Sequence, residues 1–225
     1  MNQCAFENHE LILSYFYLKN NKTGKTLFGG KSGETPEIID YTSVEDISKE
    51  IGETKYKSHF LENSIKSNVP NIELFLEKYK KDLKSDFTLG YFIHLYTDKL
   101  WFDHFMDNFT INSTIRLMDG TFLKCSDEEI VSIIYSDYTN INIDLIDYYE
   151  LDLSLFYEEF NKPVTKIDEI PVDKLDILVD KMSIIVANSK LEKKYVFDME
   201  DINKFIDDAT NRIYDYIIEN NLQED

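Results

Sequence analysis

Apolar residues recur at three- and four-residue spacing along most of this chain, the signature of amphipathic helices. In "HELILSYFYLKNN", His9, Ile12, Leu13 and Phe16 fall at i, i+3, i+4 and i+7, one helical face. "KTGKTLFGGKSGETPE" follows as a Gly-rich loop without the spacing of a phosphate-binding loop. "SVEDISKEIGETKYKSHF" predicts a short helix broken at Gly52 and a polar turn leading to His59. In "PNIELFLEKYKKDL", Pro70 stands near a helix start, and Ile72, Phe75, Leu76 and Tyr79 share a face. Ser85 or Asp86 then caps a long helix whose body is "GYFIHLYTDKLWFDHF". "TIRLMDGTFLKC" breaks the helical period, and its Asp119-Gly120 pair suits a hairpin turn, so residues 114–124 form a small hairpin or an irregular loop.

Ser126 and Glu129 have capping-box spacing ahead of "EEIVSIIYSDY". Helical pattern continues through "IDLIDYYELDLSLFYEEF" until Pro163, and Pro171 opens "VDKLDILVDKMSIIVANS". Asp198 caps a last helix on which Ile202, Phe205, Ile206, Ala209, Ile213 and Ile217 form a stripe. No internal repeat or low-complexity linker interrupts this order. The expectation is one all-α, multi-helix domain over residues 1–225, with at most one small hairpin.

Composition supports that picture. Of 225 residues 43% are apolar, with 15 Phe and 15 Tyr for a core, while seven Gly and four Pro suit long helices better than a many-turned β-sandwich. The formal charge of −19 argues against a resident nucleic-acid backbone or anionic bilayer, which need a basic footprint. An anionic substrate held through bound cations remains compatible with it. Cys4 and Cys125 stand far apart and form no disulfide framework. With no signal peptide in "MNQCAFENHELILSYF" and no apolar run of the roughly 18–20 residues that span a bilayer, a cytoplasmic setting is expected.

The long aromatic helix poses a chemical question. At about 100° per residue, His94 and Asp98 lie about 40° apart in the middle of its aromatic face, beside Tyr91 and Trp101. Lys99, Asp103 and Asp107 gather on the opposite, wet face. A buried carboxylate left alone costs several kcal/mol, so a cation has to meet Asp98. Protonated His94, a Lys or Arg from elsewhere, or a metal ion would serve. The chain has only four histidines, His9, His59, His94 and His104; His9 sits on the apolar stripe of the first helix, and His59 is flanked by "KS" and "F". Imidazole with carboxylate is a donor mix for zinc or a similar borderline metal.

"DISKEIGETKYKSHF", "LGYFIHLYTDKLW" and the spacing His94-x3-Asp98-x5-His104 resemble the zinc-dependent phospholipase C-like proteins, an all-α superfamily shared with single-strand-specific zinc nucleases. The resemblance covers about residues 7–110. It implies His9, Asp46, His59, His94, Asp98 and His104 as metal ligands, with Asp98 bridging two ions and Asp46 a ligand or the base for the attacking water. Glu45 stands where the family usually has Pro, which leaves Asp40 and Glu37 as substitutes for Asp46. No histidine follows His104, and the sole Trp is Trp101, so one or two ions are expected rather than three. His104 lies about 120° around the ideal helix from Asp98, and would serve a different metal from His94, or none.

The expected function is a metal-dependent hydrolase, a phosphoesterase using a metal-activated water on a small-molecule phosphoester, with zinc as the cofactor. The alternatives are a non-catalytic, metal-stabilised helical domain and an acidic helical interaction protein without metal. Lesser constellations read as structure: Asp127 to Glu129 as a helix first turn, and Asp207-Asp208 with Arg212 as a surface pair. Asp137 and Tyr138 are candidates to line the cleft.

Overall fold

A computed structural model describes residues 55–62, 68–151, 164–172 and 195–222. His9, Asp46 with its substitutes Glu37 and Asp40, Cys4, and the helix expected after Pro171 lie outside the described residues. Of those described, 63% are helical, and one two-stranded antiparallel sheet accompanies them. The all-α expectation with a small hairpin holds at that level.

Helix α1 spans Ile72–Tyr79. Asn71 caps it, its side chain accepting the Leu74 N–H at 3.0 Å, and this satisfies one of the orphan donors of the first turn. Helix α2 spans Asp86–Leu100 and starts at Ser85, whose backbone is extended. It continues without a break into a π-helical turn at Trp101–Phe105 and a 3-10 turn at Met106–Asn108. Strands β1 (Thr114–Arg116) and β2 (Phe122–Lys124) pair in register Ile115 to Leu123. Gly120 supplies the positive φ of +80° that the turn between them needs.

A second reversal precedes β1, unforeseen from the hydrophobic pattern. Ile111 and Thr114 exchange both backbone hydrogen bonds across Asn112 and Ser113, both at positive φ. Two consecutive left-handed residues make the tight turn whose twist matches antiparallel strands.

Helix α3 spans Asp127–Tyr148 behind the expected capping box: Glu129 N–H donates to Ser126 Oγ at 3.2 Å, and Ser126 N–H to Glu129 Oε2 at 2.8 Å. It ends at Tyr148, and most of the helical run expected through Phe160 lies outside the described residues. Glu150 turns left-handed (φ 49°), Leu151 N–H donates to the Ile146 carbonyl and Glu150 N–H to that of Asp147, a C-capping motif that closes the helix. Helix α4 spans Met199–Glu219 with Asp198 as cap and the expected stripe from Ile202 to Ile217 buried. Asn221 and Leu222 close it with the same C-terminal pattern.

Helix α2 is the central element, packed against α1 and α4. The expected wet face is confined to its C-terminal end, where Asp103 is half-buried and Asp107 exposed. Phe92, two turns before Lys99 on the same side, is fully buried, as is Leu95, and Lys99 is half-buried. Neighbours surround the helix, so apolar residues are buried on every side. Beyond it, Trp101 is fully buried among Phe105, Tyr138, Phe197 and Phe205, and its indole N–H donates to Tyr138 Oη at 2.7 Å. The polar end of a buried Trp needs such a partner.

Two polar anchors hold the remaining segments. Asp137, expected as a cleft residue, is fully buried on α3 and accepts the backbone N–H groups of Tyr195, Val196 and Phe197 at 2.5–3.1 Å. It fastens the entry to α4. Glu169 accepts from Lys78 Nζ at 2.5 Å and Tyr79 Oη at 2.6 Å, and Tyr79 Oη accepts the Asp168 N–H at 3.0 Å, tying residues 164–172 to α1. Burial and the hydrogen bond to Glu169 push the Tyr79 phenol up to about 12. Burial works to raise the Glu169 carboxyl, but the bonds from Lys78 and Tyr79 outweigh it and leave the group lowered.

Candidate metal centre

The site begins with a short turn. Residues 55–58 are helical, where the pattern had suggested a polar turn. The turn ends with Leu61 N–H donating to the Tyr56 carbonyl and Phe60 N–H to that of Lys57, with Phe60 left-handed at φ 53°. This is the C-capping geometry usually given to Gly, and a bulky residue there is strained by roughly 1–3 kcal/mol. Phe60 tolerates it because its ring is buried, edge-on to Phe75 at 5.3 Å and to Tyr79 at 6.2 Å. The aromatic residue after His59 therefore anchors the turn and aims His59 at α2.

The partners on α2 are His94 and Asp98, one turn apart as i and i+4. His59 Nε2 lies 3.2 Å from His94 Nε2 and 3.8 Å from Asp98 Oδ2, and the two rings meet edge to face at 5.0 Å. Asp98 is 1% exposed, and His59 and His94 are partly buried. One donor atom from each residue lies within 4.8 Å of the others. Two nitrogens on one tetrahedral zinc at about 2.0–2.1 Å stand roughly 3.3–3.4 Å apart, so the imidazole pair is already at coordination spacing. His59, His94 and Asp98 form a group that could hold a metal ion.

Two further residues support this trio through contacts that the linear pattern does not show. Ser58 Oγ lies 3.0 Å from His59 Nδ1, and Tyr91 Oη donates to the Ser58 carbonyl at 2.7 Å. Tyr91 also packs its ring against His94 at 5.5 Å. Both follow from the C-capped turn seated against α2, a tertiary feature. A Tyr three residues before His94 on the same helix is the only local trace.

His104 does not join the trio. Its side chain is 55% exposed, with Nδ1 2.9 Å from the Asp103 carbonyl. The π-helical turn widens the helix here and departs from the ideal rotation that placed His104 about 120° from Asp98. His9 and Asp46 lie outside the described residues. Among those described, the donors gather around a single position.

No protein-family model matches this chain, and neither a curated protein nor a solved structure matches it.

Proposed function

We propose that this chain is a metal-dependent hydrolase acting on a phosphoester, with zinc held by His59, His94 and Asp98. The observation that carries the reading is the imidazole pair at 3.2 Å with a buried carboxylate 3.8 Å from His59. Two imidazoles and one carboxylate are a donor set of catalytic zinc sites, which use three protein ligands and leave the next position to water or substrate. A zinc ion there would supply Lewis acidity and lower the pKa of a bound water to about 7. Asp98 contributes the negative charge that offsets part of the ion's own. His59 and His94 contribute neutral nitrogens from two different segments, so the ion's place depends on the fold.

The phosphoester comes from the resemblance of the His94-x3-Asp98-x5-His104 helix and the "SHF" segment to zinc-dependent phospholipase C-like proteins. The net charge of −19 fits it indirectly, because an acidic surface needs a bound cation to receive an anionic substrate. Asp46 is proposed as a further ligand or as the base.

The experiment is elemental analysis of chain purified without chelators, followed by turnover of bis(p-nitrophenyl) phosphate with and without added zinc. Near-stoichiometric metal and zinc-dependent release of nitrophenolate, both lost in His94→Ala, are expected. A second reading is a metal that staples helices without turnover. The strained Phe60 turn favours it, since a metal joining His59 to α2 would help hold that turn. Bound metal with no hydrolysis selects the staple; no bound metal refutes both and leaves an acidic helical interaction protein.

A further inference from the structure

The trio is not symmetric, and the reason lies behind His59. Ser58 is buried, and its Oγ reaches His59 Nδ1 at 3.0 Å and the Lys55 carbonyl at 3.4 Å. A hydroxyl has one proton to give and a carbonyl can only accept. If Ser58 donates to Nδ1, the Lys55 contact is lost. If Nδ1–H donates to Oγ, the hydroxyl proton goes on to the Lys55 carbonyl and both contacts become hydrogen bonds. Tyr91 holds the Ser58 carbonyl from the other side, and the buried Phe60 ring keeps the turn from rotating. The chain of two bonds is the better-satisfied arrangement.

We infer that Ser58 is a positioning residue: it keeps the proton of neutral His59 on Nδ1, so that the Nε2 lone pair faces His94 and the metal position. The consequence for the metal rests on the metal-dependent reading above; the assignment of the His59 proton does not.

A second consequence follows across the 3.2 Å gap between the Nε2 atoms. A hydrogen bond across that gap holds one proton between two such nitrogens, and on the assignment above His59 carries its own on Nδ1. His94 is therefore the donor, through Nε2–H. A metal needs a lone pair on both atoms. To hold a metal, His94 Nε2 would have to give up that proton, to Nδ1 of the same ring or to water, and so free its lone pair. His59 arrives ready. A hydrogen bond to the far nitrogen of a ligating imidazole commonly fixes its tautomer in this way.

The test is long-range 1H–15N correlation on the full-length chain at pH 8, without metal and then with Zn2+ alone. His59 should show the Nδ1–H pattern in both states, while His94 shows Nε2–H without metal and loses it with zinc. Ser58→Ala should convert His59 to a tautomer mixture and weaken zinc binding about 10–100-fold, with Ser58→Thr restoring both. Wild-type His59 carrying its proton on Nε2 overturns the inference, and needs no variant to fold. So does Ser58→Ala keeping the wild-type pattern, whereas losing it with zinc affinity unchanged overturns the consequence for the metal and supports the proton assignment. A wild-type chain with the expected His59 pattern that binds no zinc would instead sink the metal reading and leave the role of Ser58 toward His59 standing.

Discussion

Asp98 and Asp137 are both carboxylates withdrawn from water, 1% and 0% exposed, yet their surroundings differ in kind. Asp137 is met by three consecutive backbone N–H groups, which can only donate. Asp98 faces the Nε2 of His59, and next to it that of His94, atoms able to donate a proton or offer a lone pair. A carboxylate saturated by N–H donors is a fastening. One set beside two imidazoles retains a choice of partner, and a cation is the partner that uses all three groups together. Burial of an acidic group therefore does not mark function by itself; the chemistry of what meets it does.

Removing the fastening should produce the largest effect. Asp137→Ala leaves the Tyr195, Val196 and Phe197 N–H groups to find other acceptors, and a loss of about 3 kcal/mol or more is expected. Urea denaturation with and without zinc checks it, and the loss should be the same in both. Were the loss to depend on zinc, the distinction between the two carboxylates would break.

Asp98→Asn should do the reverse. In wild type, zinc at a hundredfold excess over its dissociation constant should raise unfolding free energy by about 2.7 kcal/mol, and the variant should lose that increment. Without metal the variant should be no more than about 1 kcal/mol less stable, because neutralising a buried carboxylate removes a desolvation cost. Metal-free Asp98→Asn as damaged as Asp137→Ala would make Asp98 a structural residue.

Glu169 offers an intermediate case, a carboxylate met by an ammonium and a phenol. At pH 8, Tyr79→Phe should cost about 1–2 kcal/mol by removing the bond to Glu169 and the acceptor for the Asp168 N–H. With its phenol raised to about 12, Tyr79 contributes stability that is full below pH 10 and is lost as pH climbs through about 12. The gap between wild type and Tyr79→Phe in denaturation midpoints should therefore narrow from pH 9 to pH 12. A widening gap would contradict the assignment. Glu169 has the opposite sign: its lowered carboxyl contributes above its unfolded value and loses that contribution as pH falls through the folded one.

The smallest effect belongs to His104. Exposed and outside the trio, it should tolerate replacement by Ala within about 0.5 kcal/mol and with unchanged zinc affinity, read by calorimetric titration. A clear loss of affinity would return it to the ligand set.

Parts of the site were legible before any coordinates. Two polar groups in the greasy run around His94 and Asp98, one turn apart, announced a shared purpose, and His59 stood out because histidines are few. What was not legible is instructive. Ser58 and Tyr91 act through a C-capped turn whose left-handed residue is Phe60, where local preference would have asked for Gly. The π-helical turn at Trp101–Phe105 escapes a periodicity read at 100° per residue, although that same reading already set His104 apart from Asp98. Asp137 looked like a cleft residue because nothing nearby in sequence shows that residues 195–197 arrive to donate to it.

The sequence by itself determined where helices begin and which faces they bury: Ser126 with Glu129, Asp198, and the stripe from Ile202 to Ile217 act within one or two turns of their own backbone. It also determined that Asp98 required a polar partner, since that follows from charge and burial alone. Tertiary structure decided which partner. His59 and His94 are 35 residues apart, and their nitrogens meet only because Phe60 is buried against α1 while Tyr91 grips the neighbouring carbonyl. Local hydrogen bonds and spacing are written along the chain, whereas the convergence of side chains is set by how whole elements pack.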